Sequence, residues 1–214
     1  ADPHRPDLIL ATGDLVQDES RQGYERFREL LGQPGVPVHC LPGNHDSQEA
    51  MQAVLSDAPF HFCGIGDYPP WRLILLNSRI ASDDGGFLAT QELEKLQQAL
   101  TTHRDGHVLI ALHHQPVPMG SRWLDTVGLR NAAAFFAVTD RHPQLRAIVW
   151  GHVHQASDQL RNGVRLISTP STCAQFLPAA DTFTLDTRPP GYRWLDLHPD
   201  GTIQTSVVWV PGLA

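Results

Sequence analysis

Short apolar runs alternate with stretches of helical periodicity along most of the chain, the pattern of strands joined through crossover helices. The first run, Asp7 to Asp14, is almost wholly apolar until it reaches Gly13-Asp14. Behind Ser20, a residue suited to cap a helix, Tyr24, Phe27, Leu30 and Leu31 recur at helical spacing, and Gly32 can stop the helix. A second strand, Val36 to Leu41, ends in Pro42-Gly43-Asn44-His45-Asp46. Ser47 opens a helix through Ala50, Met51, Val54 and Leu55, followed by an irregular stretch to Pro70 and a strand from Trp71 to Asn77.

Thr90 is placed to cap a helix carrying Leu93, Leu96 and Leu100, and the strand His107 to Leu112 delivers His113 and His114. A helix near Asn131 to Asp140 precedes the strand Leu145 to Trp150, which ends in Gly151-His152-Val153-His154. Beyond it, Val164 to Ser168, Tyr192 to Leu197 and Ile203 to Val210 read as strands, the last two joined by the turn Pro199-Asp200-Gly201-Thr202. The reading is one α/β domain over residues 1–214, a pair of mixed sheets flanked by helices.

Four of these strand patterns end in polar residues able to bind metal, and α/β proteins hold their ligands outside the carboxyl ends of strands. His152 and His154, two apart, can face one side of a strand. Asp14 closes an apolar strand, where a carboxylate requires a cationic partner, a helix N-terminus or a metal. Asn44 can offer a neutral oxygen, His45 a proton, and Asp46 can hold the His45 ring in its tautomer. Of the adjacent pair His113 and His114, one faces the site. Asp18 is read as a helix-capping or orienting residue, and the other histidines, His39 and His142 among them, as surface or packing residues. One carboxylate, one amide and three imidazoles form a mixed O/N set suited to Fe, Mn or Zn, and the lack of cysteine disfavours a structural zinc site.

A net charge of -7, from 16 basic and 23 acidic residues, has the wrong sign for gripping a nucleic-acid backbone, so an anionic substrate must be met by local charge such as bound metal. Three cysteines without paired spacing (Cys40, Cys63, Cys173) fit a reducing cytoplasm. No apolar run reaches membrane-spanning length, and Ala1 to Pro6 has no signal-like apolar core. The oligomeric state is left open, a dimer included.

In order and flanks, Gly13-Asp14, Gly43-Asn44-His45-Asp46, His113 and Gly151-His152-Val153-His154 resemble the motifs of the calcineurin-like metallophosphoesterases. Ala11-Thr-Gly-Asp-Leu-Val-Gln-Asp18, Leu112-His-His-Gln-Pro-Val-Pro118, Thr169-Pro-Ser-Thr-Cys173 with Gln175-Phe176, and Phe183-Thr-Leu-Asp-Thr187 are similar to segments of the bacterial class III cyclic AMP phosphodiesterases. The resemblance implies two metal ions, with Fe and Mn ahead of Zn. Asp14 would bridge them, Asn44, His113 and His152 would bind the second, and His154 the first. His45 would contact the phosphate and protonate the leaving oxygen, with Asn44 and His154 also lining the substrate. The implied reaction is hydrolysis of 3',5'-cyclic AMP to 5'-AMP; the alternatives are other small phosphodiesters, such as 2',3'-cyclic nucleotides or glycerophosphodiesters, and a non-catalytic metal-binding fragment.

The family's first motif, Asp-X-His, is expected a strand and a helix before Asp14. Asp2-Pro3-His4 matches its letters but not its place, since the twelve positions to Asp14 must also hold a second strand and a parallel crossover takes about a dozen residues. An N-terminal segment ahead of residue 1 is therefore expected.

Overall fold

The computed structural model describes residues 5–212, so the decoy Asp2-Pro3-His4 lies outside the described residues. Elements follow in the order β1 (Ile9–Ala11), α1 (Arg21–Gly32), β2 (Val38–Cys40), α2 (Gln48–Val54), β3 (Phe60–Phe62), β4 (Gly64–Tyr68), β5 (Trp71–Leu75), α3 (Thr90–Thr102) and β6 (His107–Leu112). A 3-10 turn (Leu124–Val127) leads to α4 (Ala132–Thr139), β7 (Leu145–Trp150), β8 (Ser157–Arg161), β9 (Val164–Ser168), β10 (Gly191–Leu197) and β11 (Ile203–Trp209).

A six-stranded mixed sheet, in the order β4-β5-β6-β7-β9-β8, forms the centre. Its middle strands β5, β6, β7 and β9 run parallel, and the edge strands β4 and β8 are antiparallel to their neighbours. β5, β6 and β7 read as largely apolar runs, broken only by Arg72, His107 and Arg146 near their starts, because both of their faces are buried. On one face Ile74, Ile110, Leu112, Ile148 and Trp150 meet Leu96, Ala99 and Leu100 of α3 and Phe135 of α4. On the other, Leu73, Leu75, Leu109, Ala111, Ala147 and Val149 meet Leu10 of β1 and Leu195, Leu197 and Ile203 of the β10–β11 hairpin.

A parallel three-stranded sheet, β1-β2-β3, carries α1 and α2 through a third cluster of Tyr24, Val38, Cys40, Met51, Val54, Leu55 and Phe60. The class expected from periodicity, mixed sheets flanked by helices, is the one observed. Ser20 and Ser47 cap their helices as their side chains suggest, each accepting a backbone N–H one turn on.

Several expectations are corrected. α3 begins at Thr90 with Ala89 in the capping position, so the Thr90 hydroxyl is not the cap. The stretch before Pro70 read as irregular contains β3 and β4; β3 has three residues, and β4 is glycine-broken and largely exposed, so neither shows a strong alternation. β8, Ser-Asp-Gln-Leu-Arg, went unpredicted because an exposed edge strand has no buried face to pattern it. β1 and β2 are shorter than their apolar runs, whose last residues turn out of the ladder towards the site, whereas β6 and β7 have the predicted bounds.

Between β1 and β10 lies a groove of about 1460 Å³, lined by Leu8, Leu10, Phe27, Trp194 and Leu195 and reaching Asp14, His152 and His154 at one end. In the described ladders β1 pairs only with β2, and β10 only with β11.

One histidine treated as a packing residue has a thermodynamic signature. His39 in β2 is buried, with its Nε2 2.6 Å from the Tyr68 hydroxyl and its ring stacked on His61. Burial, with His61 beside it, pushes its pKa down to about 4, against about 6.5 in an unfolded chain. Between these values the unfolded chain binds the proton and the folded chain does not, so this contribution to stability is complete above the unfolded pKa and is lost as pH falls towards 4. Denaturation midpoints measured across that window should fall less steeply for His39→Gln than for the wild type; parallel profiles would contradict the assignment.

Candidate metal centre

The carboxyl ends of β1, β2, β6 and β7 converge, and with them four of the side chains singled out in the sequence. Asp14 stands two positions beyond the residue that follows β1, with φ 55°. One carboxylate oxygen accepts the backbone N–H of His45 at 2.9 Å and the other lies 3.1 Å from Nε2 of His113. The same Nε2 is 3.2 Å from Oδ1 of Asn44 and 3.2 Å from Nδ1 of His152. Glycines permit this closeness: a Cβ on Gly43 would overlap the Asp14 carboxylate, and one on Gly13, at φ 94°, would run into the His113 ring.

The orientation of His113 is decisive. Its Nδ1 lies 2.7 Å from the carbonyl oxygen of Thr12, which only an N–H can satisfy. In the neutral ring Nε2 then holds a lone pair, aimed at a carboxylate oxygen and an amide oxygen. Acceptors that face each other at such distances need a cation between them, either a second proton on His113 or a metal. Around a metal with ligand distances near 2.1 Å, adjacent donor atoms stand about 3.0 to 3.4 Å apart, which is the spacing found. His152 Nε2 is in addition buried without a hydrogen-bond partner. The donor set fits a divalent metal.

The electrostatics agree. Burial opposes ionisation of Asp14, but the charge and hydrogen bond of His113, with the His45 N–H, outweigh it and hold the carboxyl well below the usual range. Burial likewise opposes a charge on His113, and Asp14 overrides it, raising its pKa. Burial lowers His154, and burial together with the neighbouring His113 pushes His152 down to about 3. These two rings are neutral and have lone pairs to give.

Of the adjacent histidines, His113 is the one that meets Asp14, Asn44 and His152. His114 is fully buried with Nδ1 2.8 Å from the Ser78 hydroxyl, and burial pushes it down to about 2. It still packs on the rings of His113 and His152, and the three imidazoles lie within reach of a common ion. His154 stands close enough to sense the charge of Asp14; its Nδ1 donates to the carbonyl of Ala174 at 2.8 Å.

Strand alternation is not what aligns His152 and His154. β7 ends at Trp150, and both histidines adopt left-handed conformations, at φ 60° and 47°, in the turn beyond it.

Asp46 does not orient the His45 ring. Its buried carboxylate accepts the Tyr24 hydroxyl at 2.9 Å, the N–H of Gly43 at 2.9 Å and the N–H of Leu15 at 3.1 Å, tying the loops after β1 and β2 to α1. The position is too deep and too well supplied with donors to reach a neighbouring side chain. His45 is met instead by Gln17, whose amide Nε2 donates to Nδ1 at 3.1 Å and leaves the ring proton on Nε2. Asp18 accepts the N–H of Ser20 in a turn just ahead of the true cap. Tyr24 had no functional signal in the sequence, while Thr12, Gln17 and Phe176 lie in segments that resemble the cyclic AMP phosphodiesterases but gained their partners only through contacts with residues distant along the chain.

Residues 1–156 match the family model described as calcineurin-like phosphoesterase. The chain is 44% identical over 205 residues to the 3',5'-cyclic adenosine monophosphate phosphodiesterase CpdA of Pseudomonas aeruginosa, covering 95% of this chain and 74% of that protein. It is 37% identical over 205 residues to the 3',5'-cyclic-nucleotide phosphodiesterase alr5338 of Nostoc, covering 96% and 77%. A dimetal phosphatase from Danio rerio shares the fold at a TM-score of 0.61 and 16% identity, over 78% of this chain and 73% of that one. Converging strand ends, a donor set that needs a cation and this match over most of the chain agree: the protein belongs to the calcineurin-like phosphoesterase family.

Proposed function

We propose that the protein hydrolyses 3',5'-cyclic AMP to 5'-AMP at a centre of two metal ions held by Asp14, Asn44, His113, His152 and His154, with His45 as proton donor. The observation that carries the reading is the His113 Nε2 lone pair facing Asp14 and Asn44, an arrangement that has no use without a cation. The cyclic nucleotide is supported by the names and high identity of the relatives, and the O/N donor set favours iron and manganese, with zinc third.

Bound metals would supply a hydroxide at neutral pH and neutralise the phosphoryl oxygens. The chain's own residues do the rest. Thr12 holds the His113 ring in the tautomer that presents Nε2, and the His45 N–H keeps the Asp14 carboxylate turned towards it. The Nε2 proton of His45, kept there by Gln17, is the one given to the departing 3' oxygen.

No helix of the described residues is long and apolar enough to cross a membrane, and three free cysteines suit a cytoplasmic enzyme.

In the full-length protein, His152→Ala or Asn44→Ala should abolish phosphodiesterase activity with the circular dichroism spectrum retained, while His142→Ala changes little; a folded, fully active His152→Ala enzyme would refute the ligand set. His45→Ala should keep its metals but lose about 100 to 10,000-fold in turnover of cyclic AMP. It should lose far less on bis(p-nitrophenyl) phosphate, whose leaving group departs without a proton. Metal depletion in His45→Ala, or equal losses on both substrates, would rule out the proton-donor role. The wild type should turn over cyclic AMP faster than bis(p-nitrophenyl) phosphate or glycerophosphodiesters, and the opposite ranking would favour a general phosphodiesterase.

A further inference from the structure

Between β9 and β10 the chain makes a short arm that reaches back to the site. Its base is pinned by the buried Gln175, whose Oε1 accepts the Ser171 N–H at 3.0 Å while Nε2 donates to the carbonyls of Ser171 and Pro189. Further out, Phe176 and Leu185 form an antiparallel bridge, flanked by hydrogen bonds from Leu177 to Thr184 and from Asp186 to Gln175.

The arm grips His154 in three ways. The Ala174 carbonyl accepts the Nδ1 proton, which leaves the lone pair on Nε2. The Phe176 N–H donates to the His154 carbonyl at 3.2 Å. The Phe176 ring lies flat on the imidazole, with centroids 4.1 Å apart and planes 8° from parallel. Phe176 is itself held edge-on by Trp123 at 5.2 Å and by Phe183 at 5.2 Å, and these two rings also meet each other.

A parallel face-to-face stack is a poor arrangement for two electron-rich rings, because their quadrupoles repel. It becomes favourable when one ring is drained of electron density, as an imidazole is when its other nitrogen gives a lone pair to a cation. His154 stands at φ 47° in the turn beyond β7.

We propose that Phe176 is a positioning residue: its ring, braced by Trp123 and Phe183, fixes the plane of the His154 imidazole and so aims Nε2 at the metal centre. This rests on the reading of His154 as a ligand. Partners that orient a metal-binding histidine are each worth about 10 to 100-fold in affinity.

The test is cobalt(II) titration of the metal-stripped full-length protein, followed by equilibrium dialysis and by the visible absorption of the bound cobalt. Phe176→Ala should raise the concentration for half-saturation about 10 to 100-fold and shift the absorption band, whereas Phe176→Tyr, which keeps the flat face, should restore both. Phe176→Leu keeps apolar volume without a ring face, and serves in the same way should the alanine variant unfold. Because Phe176 acts through His154, adding its substitution to His154→Ala should cause no further loss. An additive double variant, or a folded Phe176→Leu with wild-type affinity and spectrum, overturns the positioning role while leaving His154 a ligand. Unchanged cobalt binding in His154→Ala removes the ligand reading, and the positioning role falls with it.

Discussion

The site is organised by one electrostatic requirement. His113 commits its Nδ1 proton to a backbone carbonyl and turns Nε2 towards the oxygens of Asp14 and Asn44, so the group needs a proton or a metal ion between them. Every neighbouring feature answers that requirement. The His45 N–H neutralises part of the Asp14 charge, and the burial that keeps His152 and His154 neutral leaves both free to donate.

Holding such an arrangement costs backbone strain. Asp14, His152 and His154 are all non-glycine residues in left-handed conformations, each unfavourable by about 1–3 kcal/mol. The strain persists because the strands beneath are over-determined: β6 and β7 are buried on both faces, and α3, α4, β1 and the hairpin close them off. The interior of the central sheet is the rigid base from which these turns leave, and turns anchored in this way can keep geometries that a free loop would relax.

Around the donor atoms lies a layer of contacts that fix ring planes and tautomers. The Thr12 carbonyl does this for His113, Gln17 for His45, and Ala174 with Phe176 for His154. Asp46 belongs to a different task. Four residues from three segments, Leu15, Tyr24, Gly43 and Asp46 itself, are joined by its carboxylate, which locks the loops that carry Asp14 and Asn44 to α1.

By itself the sequence determined the α/β class, the serine caps of the first two helices and the clustering of Asp14, Asn44, His113 and His152, because two-residue and helical periodicities locate strand ends and polar residues there stand out against apolar runs. It also separated His113 from His114, through a family motif. It could not reveal β3, which is three residues long, or β4 and β8, whose exposed or glycine-broken strands carry no periodic signal. Tertiary structure alone decided that His45 is met by Gln17 and not by Asp46, that His152 and His154 lie on a left-handed turn instead of a strand face, and that Phe176 backs His154 from 22 positions away. The reason is common to all three: hydrogen-bond partners and ring stacks between distant residues depend on where loops cross in space, and local patterning holds no record of that.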